Sequence, residues 1–457
     1  MPSPDRLDEL LEALRQQLLR RKSCEREECD SILARIREAA ADLTANRLSP
    51  EEACLLAVRR QAAALPVLRE LLPALADGSL IPASPAVERR SPLSATLDRR
   101  TLAAFALAVG AAAAVKLPAL FGVPLDGSDP ADQYFYLRNA ALLVLPFLAA
   151  YFAWDRGLSA GQWAGLSVPF LVGAVVMNLY PFELQGQTQV LAALHLPIVL
   201  WLAVGFAHAG GAWRDHDRRM HFIRFTGEWV VNFALIALGG GVLMGLTAAI
   251  FQAIGSDPEP LLNRWVLPCG AAGAVLVAAW VAEGRQAIAP GMAPLLGRLF
   301  TPLFALMLLG FLGMMAVTGP ILETRREVLI AFDLLLVVVL GLLVYGVSAR
   351  RPDGTAGLFD ALQWILVVAA LLVDLTALWA ILSRTGAYGI TPNRAAAVGE
   401  NVVLLANLAV SALLLGRFLL RRGPFQPLLR WQTAYLPVYG AWAGAVVVLL
   451  PWLFGFR

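Results

Sequence analysis

Beginning at Thr101, runs of about twenty apolar residues recur to the end of this 457-residue chain, separated by short polar breaks. As helix, about twenty residues rise far enough to cross roughly 30 Å of hydrocarbon. Inside a bilayer no water satisfies backbone N–H and C=O groups, so such runs fold as helices that bond internally. The expected fold class is all-α, a polytopic transmembrane helix bundle. About eleven spans are expected, at 101–121, 134–153, 162–180, 190–212, 225–254, 265–282, 294–317, 328–347, 358–382, 401–420 and 434–454. A composition 58% hydrophobic and 16% charged leaves too little polar surface for a soluble protein of this size. The net charge of +3 gives no argument for nucleic acid as a partner. No internal repeat is visible, so an inverted-repeat transporter architecture gains no support.

The first hundred residues differ. Leu7, Leu10, Leu11, Leu14 and Leu18 recur at helical spacing and predict an amphipathic helix over 5–22, with a second over 25–45. In "LSPEEACLLAVRRQ", Ser49 suits an N-cap, Pro50 the first helical position, and Glu51 and Glu52 the positive helix end. Residues 1–81 read as a small cytoplasmic helical domain and 82–98, with Pro82, Pro85 and Pro92, as a stiff linker. The membrane domain then covers 99–457. The opening residues are charged and amphipathic and do not read as a signal peptide. Cys24, Cys29, Cys54 and Cys269 make neither a disulfide framework nor a zinc pattern, which fits a reducing setting for the N-terminal part.

With that part in the cytoplasm, the inner loops include "RDHDRRMHFIR", "ARRPDG" and "RFLLRRGPFQPLLR". The outer loops include "VPLDGSDPADQ", "PFELQGQ" and "GSDPEP". Arginine gathers on the first set and acid on the second, as the positive-inside rule requires. The pairs Arg325/Arg326 and Arg384/Arg394 are exceptions. The expected topology is N-terminus in, C-terminus out.

Lone polar residues inside the spans are the site candidates, because each is costly in hydrocarbon. "FTGEWVVNFALIALGGGVLMG" carries Glu228 about one turn into the fifth span and Asn232 one turn further. The pair reads either as an interfacial cap facing a positive helix end or as an inward-facing polar site. Gly239, Gly240 and Gly241 fall near the midplane, where glycine permits close helix packing, with Gly241 and Gly245 as a small-xxx-small pair, or breaks a helix at a substrate site. On the outer side Lys116, Arg138, Asp333, Asp374 and Glu400 share a level with Asn139, Asn178, Asn401 and His195. They read either as structural ion pairs or as an outward-facing polar cavity in which Asp333 or Asp374 exchanges protons or binds a cationic group. The cavity reading expects Arg138 or Lys116 within ion-pair distance of Asp333 or Asp374.

Other signals lead nowhere. "GLSAG", around Ser159, has the spacing of a nucleophile elbow but lies between two spans, without the strand–turn–helix setting that chemistry needs. "DHDRRMH" places Asp215, His216, Asp217 and His221 together, yet its arginines fit anionic headgroups better than a metal. No phosphate loop, zinc-protease helix or redox motif is present, so no cofactor, metal or catalytic residue is expected.

Three stretches carry a resemblance. "NRLSPEEACLLAVRRQ" (46–61) resembles the end of the bacterial permease prefix domain, a small helical module found ahead of membrane regions. "FIRFTGEWVVNFALIALGGGVLMGLTAAIF" (222–251) and "GAYGITPNRAAAVGENVVLLANL" (386–408) resemble the uncharacterised bacterial membrane family called domain of unknown function 4153. The second contains what looks like that family's signature, at Tyr388, Gly389, Thr391, Pro392 and Arg394. The resemblance implies a bacterial inner-membrane location and supplies no reaction or substrate. Physically, "YGITPNR" reads as an outer turn in which Gly389 permits unusual backbone angles and Thr391-Pro392 starts the next helix.

Two functions remain open. One is a transporter or permease-like protein that uses the outer polar site for an ion or small molecule. The other is a membrane scaffold or sensor in which residues 1–81 recruit a cytoplasmic protein partner. A lipid-modifying enzyme ranks third, for want of any catalytic constellation.

Overall fold

The computed structural model describes Leu11 and residues 26–45, 56–58, 98–125, 130–253, 257–284, 292–318, 326–350 and 354–457. Backbone contacts divide the chain into two units, Met1–Leu97 and Asp98–Arg457. In the first, helix α1 (Arg26–Ala45) buries Leu33, Ile36 and Ala40 along one face. The helix expected over 5–22 (apart from buried Leu11), the cap at Ser49 and the linker up to residue 97 lie outside the described residues.

The second unit is all-helical among its described residues. It runs α2 (Arg99–Lys116), α3 (Pro130–Asp155), α4 (Ala160–Leu179), α5 (Gln187–His208), α6 (His216–Ala253) and α7 (Leu267–Glu283). It continues through α8 (Met292–Thr318), α9 (Arg326–Ala349), α10 (Leu358–Tyr388), α11 (Pro392–Leu419) and α12 (Gln426–Leu453). Among the described residues ten helices are long and apolar enough to cross a bilayer. The expected eighth span is represented by a shorter apolar stretch of α9, Asp333–Ala349.

Helix ends follow local chemistry. Ser159 caps α4 in a capping box, accepting from Gln162 N while the Gln162 side chain accepts from Ser159 N at 2.9 Å. The hydroxyl of "GLSAG" is thus a helix cap. Asp215 Oδ1 accepts from Asp217 N at 2.9 Å, which starts α6 at His216 and makes helix of a segment expected as loop. Glu228 is therefore about three turns into its helix, not one. Thr391 caps α11 ahead of Pro392, and Gly389 holds a left-handed φ of +79° in the turn before it. α11 begins at Pro392, as the Thr391-Pro392 pair predicts, so Glu400 and Asn401 lie more than two turns inside the helix although the apolar span was placed from 401.

Two large hydrophobic cores form, and a smaller cluster of Ala396, Val446 and Leu450. One packs α2, α3, α4, α5 and α7 around residues such as Leu148, Phe152, Met177 and Leu200. The other packs α8 to α11 around Leu308, Leu343, Leu366 and Leu408. The first turns of α6 join them, with Phe222 and Phe225 in the first core and Met220 and Ile223 in the second. Further along α6 the pattern changes. A Cβ on Gly239, Gly240, Gly241 or Gly245 would meet nothing within 4 Å, so these glycines are not a close-packing seam in this chain. Among the described residues neither expectation is met: no helix packs against these glycines, and α6 runs unbroken through them from His216 to Ala253.

Candidate functional site

Asp333 on α9, Asp374 on α10 and Glu400 on α11 come together because these three helices pack on one another. Their carboxyl groups are close enough for their charges to act on each other. Asn401 Nδ2 donates to Asp333 Oδ1 at 3.1 Å and to the Ala397 carbonyl at 2.8 Å. Asp374 is 0% exposed, and neither of its carboxyl oxygens has a hydrogen-bond partner. Asn401 Oδ1 is likewise buried and unbonded. An unpaired buried polar group is costly, so its presence asks for a ligand or a role.

Two cavities meet at this cluster. A polar cavity of about 680 Å³ is lined by the first turns of α5, by Asp333, and by Arg384, Thr391, Arg394 and Glu400. An apolar chamber of about 790 Å³ is lined by Trp201, Trp229, Leu340, Leu404 and Trp442 among others. His195, Ile198, Val337 and Glu400 line both. The chamber therefore lies between the two cores, with the carboxyl groups near its polar neck. Such a mixture of apolar wall and few convergent polar groups is the usual make-up of a small-molecule site. No group of three or more His, Cys, Asp or Glu among the described residues is arranged to hold a metal ion.

The two cations expected at this cluster lie elsewhere. Lys116 Nζ donates to the Arg264 carbonyl at 2.6 Å and sits 4.5 Å from the centre of the Trp265 ring. That carbonyl belongs to a π-helical turn, Leu262–Val266, ahead of α7. Such turns leave carbonyls for outside donors. Arg138 lies 5.8 Å from the Phe135 ring, and its buried Nε has no partner. No described ion pair joins Lys116 or Arg138 to Asp333 or Asp374, so the expected pairing is not made. The cavity reading thus loses the cations it expected, and the carboxyls alone carry it. Asn139 and Asn178 pair their amides reciprocally, at 3.0 and 2.8 Å, between α3 and α4.

Tyr388, Gly389, Thr391, Pro392 and Arg394 form the turn at the rim of the polar cavity. Arg394 Nη1 donates to the Gly389 carbonyl at 2.6 Å, and its guanidinium lies 5.8 Å from the Tyr388 ring. His195 Nδ1 is engaged by the Leu191 carbonyl at 2.8 Å, which leaves the other edge of its ring for the cavities.

At the opposite end of the bundle Glu228 lines a smaller polar pocket of about 390 Å³ with Arg156, His208, Arg218, Arg224 and Glu283. Asn232 does not line this pocket; its Nδ2 donates to the Glu228 backbone carbonyl at 2.9 Å. Sequence reasoning missed the residues that organise this end. Glu283 binds Arg156 Nη2 at 2.5 Å and His208 Nε2 at 2.6 Å, tying together α3, α5 and α7. Their common signal was position, since all three close an apolar run. The comparisons add nothing to this geometry: no family model, curated protein or solved structure matches the chain.

Proposed function

We propose that this chain is an integral membrane protein of permease type, with its amino terminus in the cytoplasm and its binding site at Asp333, Asp374 and Glu400. One observation carries the reading. Asp374 is fully buried with both oxygens unbonded, beside two further carboxyls that open on a cavity. Ionisable groups kept inside apolar helices mark ion or substrate paths. The distribution of arginine supports the orientation, and the resemblance to the uncharacterised bacterial membrane family supports an inner-membrane location.

The experiment is side-specific labelling. In a cysteine-free background, Asp333→Cys is exposed to a membrane-impermeant maleimide from each face of sealed vesicles. Labelling from the outer face, with Val339→Cys on the same helix unlabelled, is the expected result. Failure to label Asp333→Cys from either face would mean that no aqueous path reaches the cluster, and would remove the transport reading.

A second reading is a membrane scaffold, and the division of contacts at Leu97/Asp98 favours it by giving the N-terminal part a compactness of its own. That reading requires residues 1–81 to capture a cytoplasmic protein. It predicts that deleting them abolishes function while leaving the membrane unit folded.

A further inference from the structure

Three helices pass from the polar cavity into the apolar chamber in the same order. On α5 the polar cavity takes Gln187 to Ile198 and the chamber continues to Trp201 and Leu202. On α9 the order is Asp333, then Val337, then Leu340. On α11 it is Arg394, then Glu400, then Val403 and Leu404. At 1.5 Å per residue, Arg394 and Leu404 stand about 15 Å apart along their helix. The wall thus grades from guanidinium through carboxyl to hydrocarbon and aromatic surface.

We propose that the two cavities form one site for an amphiphile whose ammonium head lies against Asp333 and Glu400 and whose apolar tail fills the chamber. The proposal rests on the transport reading of the same site and names its substrate class. Two features select the head. Arg394 donates to the Gly389 carbonyl, whereas Asp374, buried on the neighbouring helix, has no hydrogen-bond partner on either oxygen. Arg384 and Arg394 also line the polar cavity, but each stands further toward its outer end than the carboxyl on the same helix, Asp374 on α10 and Glu400 on α11, so the inner end carries the negative charge and favours a positive group. The tail is selected by the chamber, whose lining is apolar and aromatic apart from His195, Glu400 and two tyrosine hydroxyls. Ile198 and Val337 line both volumes, so the two adjoin there and one molecule can occupy both.

The test uses three probes with one tail: terminally brominated dodecylammonium, dodecanol and dodecanoate. Each is titrated into the full-length protein in a non-ionic detergent, with quenching of tryptophan fluorescence as the readout, since Trp201, Trp229 and Trp442 line the chamber. The ammonium probe is expected to quench saturably, with a midpoint at least tenfold below those of the other two. Asp333→Asn combined with Glu400→Gln should erase the difference between ammonium and alcohol. Ile198→Phe and Val337→Phe, on α5 and α9 where the two volumes adjoin, should each weaken all three probes. Arg417→Ala, in the last turn of α11 and in neither lining, should change nothing. Equal midpoints for the three heads, or a preference that survives the double substitution, would overturn the proposal. If that happens while Asp333→Cys still labels from outside, the substrate class alone is wrong. Loss of that labelling with head selectivity intact would remove transport and leave a binding site.

Discussion

Asn401 on α11 donates a hydrogen bond to Asp333 on α9 across 3.1 Å, while its own carbonyl oxygen is buried without a donor. The amide is the one described side-chain donor to the carboxyl cluster. It joins two helices of the second core at the neck between the cavities.

Asn401→Leu is expected to remove that donor and to lower stability by about 1–3 kcal/mol, the usual consequence of stranding a polar partner. Asp333→Asn keeps an oxygen that accepts the same bond and should fall well short of that loss. Thermal unfolding of the two purified variants in one detergent checks the order. Equal losses would show that the bond contributes nothing particular.

Glu283 joins Arg156 and His208 with its side chain 24% exposed. Glu283→Gln should cost about 1–3 kcal/mol, below the value for a fully buried pair because water still screens this end. Arg156→Gln should cost less, since His208 retains its partner. Denaturation of the two single variants and the double variant gives the coupling, and additive losses would rule out a cooperative triad.

A Cβ on Gly399 would collide with the Trp442 ring, and one on Gly227 with the Tyr345 ring. Gly399→Ala and Gly227→Ala are each expected to destabilise by about 1–3 kcal/mol through overpacking. Gly240→Ala meets open space and should be neutral or stabilising by up to about 1 kcal/mol, as helix propensity favours alanine. Thermal stability of the three variants separates them. Destabilisation by Gly240→Ala would mean that a second helix covers this face.

The C-terminal residues close on the loop between α4 and α5: Glu183 N donates to the Phe456 carbonyl at 3.0 Å and Thr188 N to the Arg457 carbonyl at 2.8 Å. Single cysteines at Gln185 and at the C-terminus should therefore label from the same face of the membrane. Asp215→Cys, where α6 begins, should label from the other. A common face for all three sites would contradict the bundle's threading.

The helices were legible in the sequence because hydrocarbon leaves a backbone no alternative, and the length of each apolar run is a direct reading of bilayer thickness. Their ends were less so. Asp215 starts α6 ahead of its apolar run through a capping bond, and an apolar count stops before such a polar first turn; at α11 the Thr391-Pro392 pair made the start legible where the apolar count did not.

Height along the bundle was also readable from the chain, since every helical residue advances by the same rise. That placed Asp333, Asp374 and Glu400 near one level before any contact was known. Azimuth was decided only by tertiary packing. Which faces of α9, α10 and α11 meet depends on side chains far apart in the chain. The same uncertainty misassigned Lys116, which turns to the Arg264 carbonyl, and gave Gly239, Gly240 and Gly241 a neighbour that the fold withholds. The cavities belong wholly to the folded state, because they are the space left where two cores meet, and no single segment encodes it.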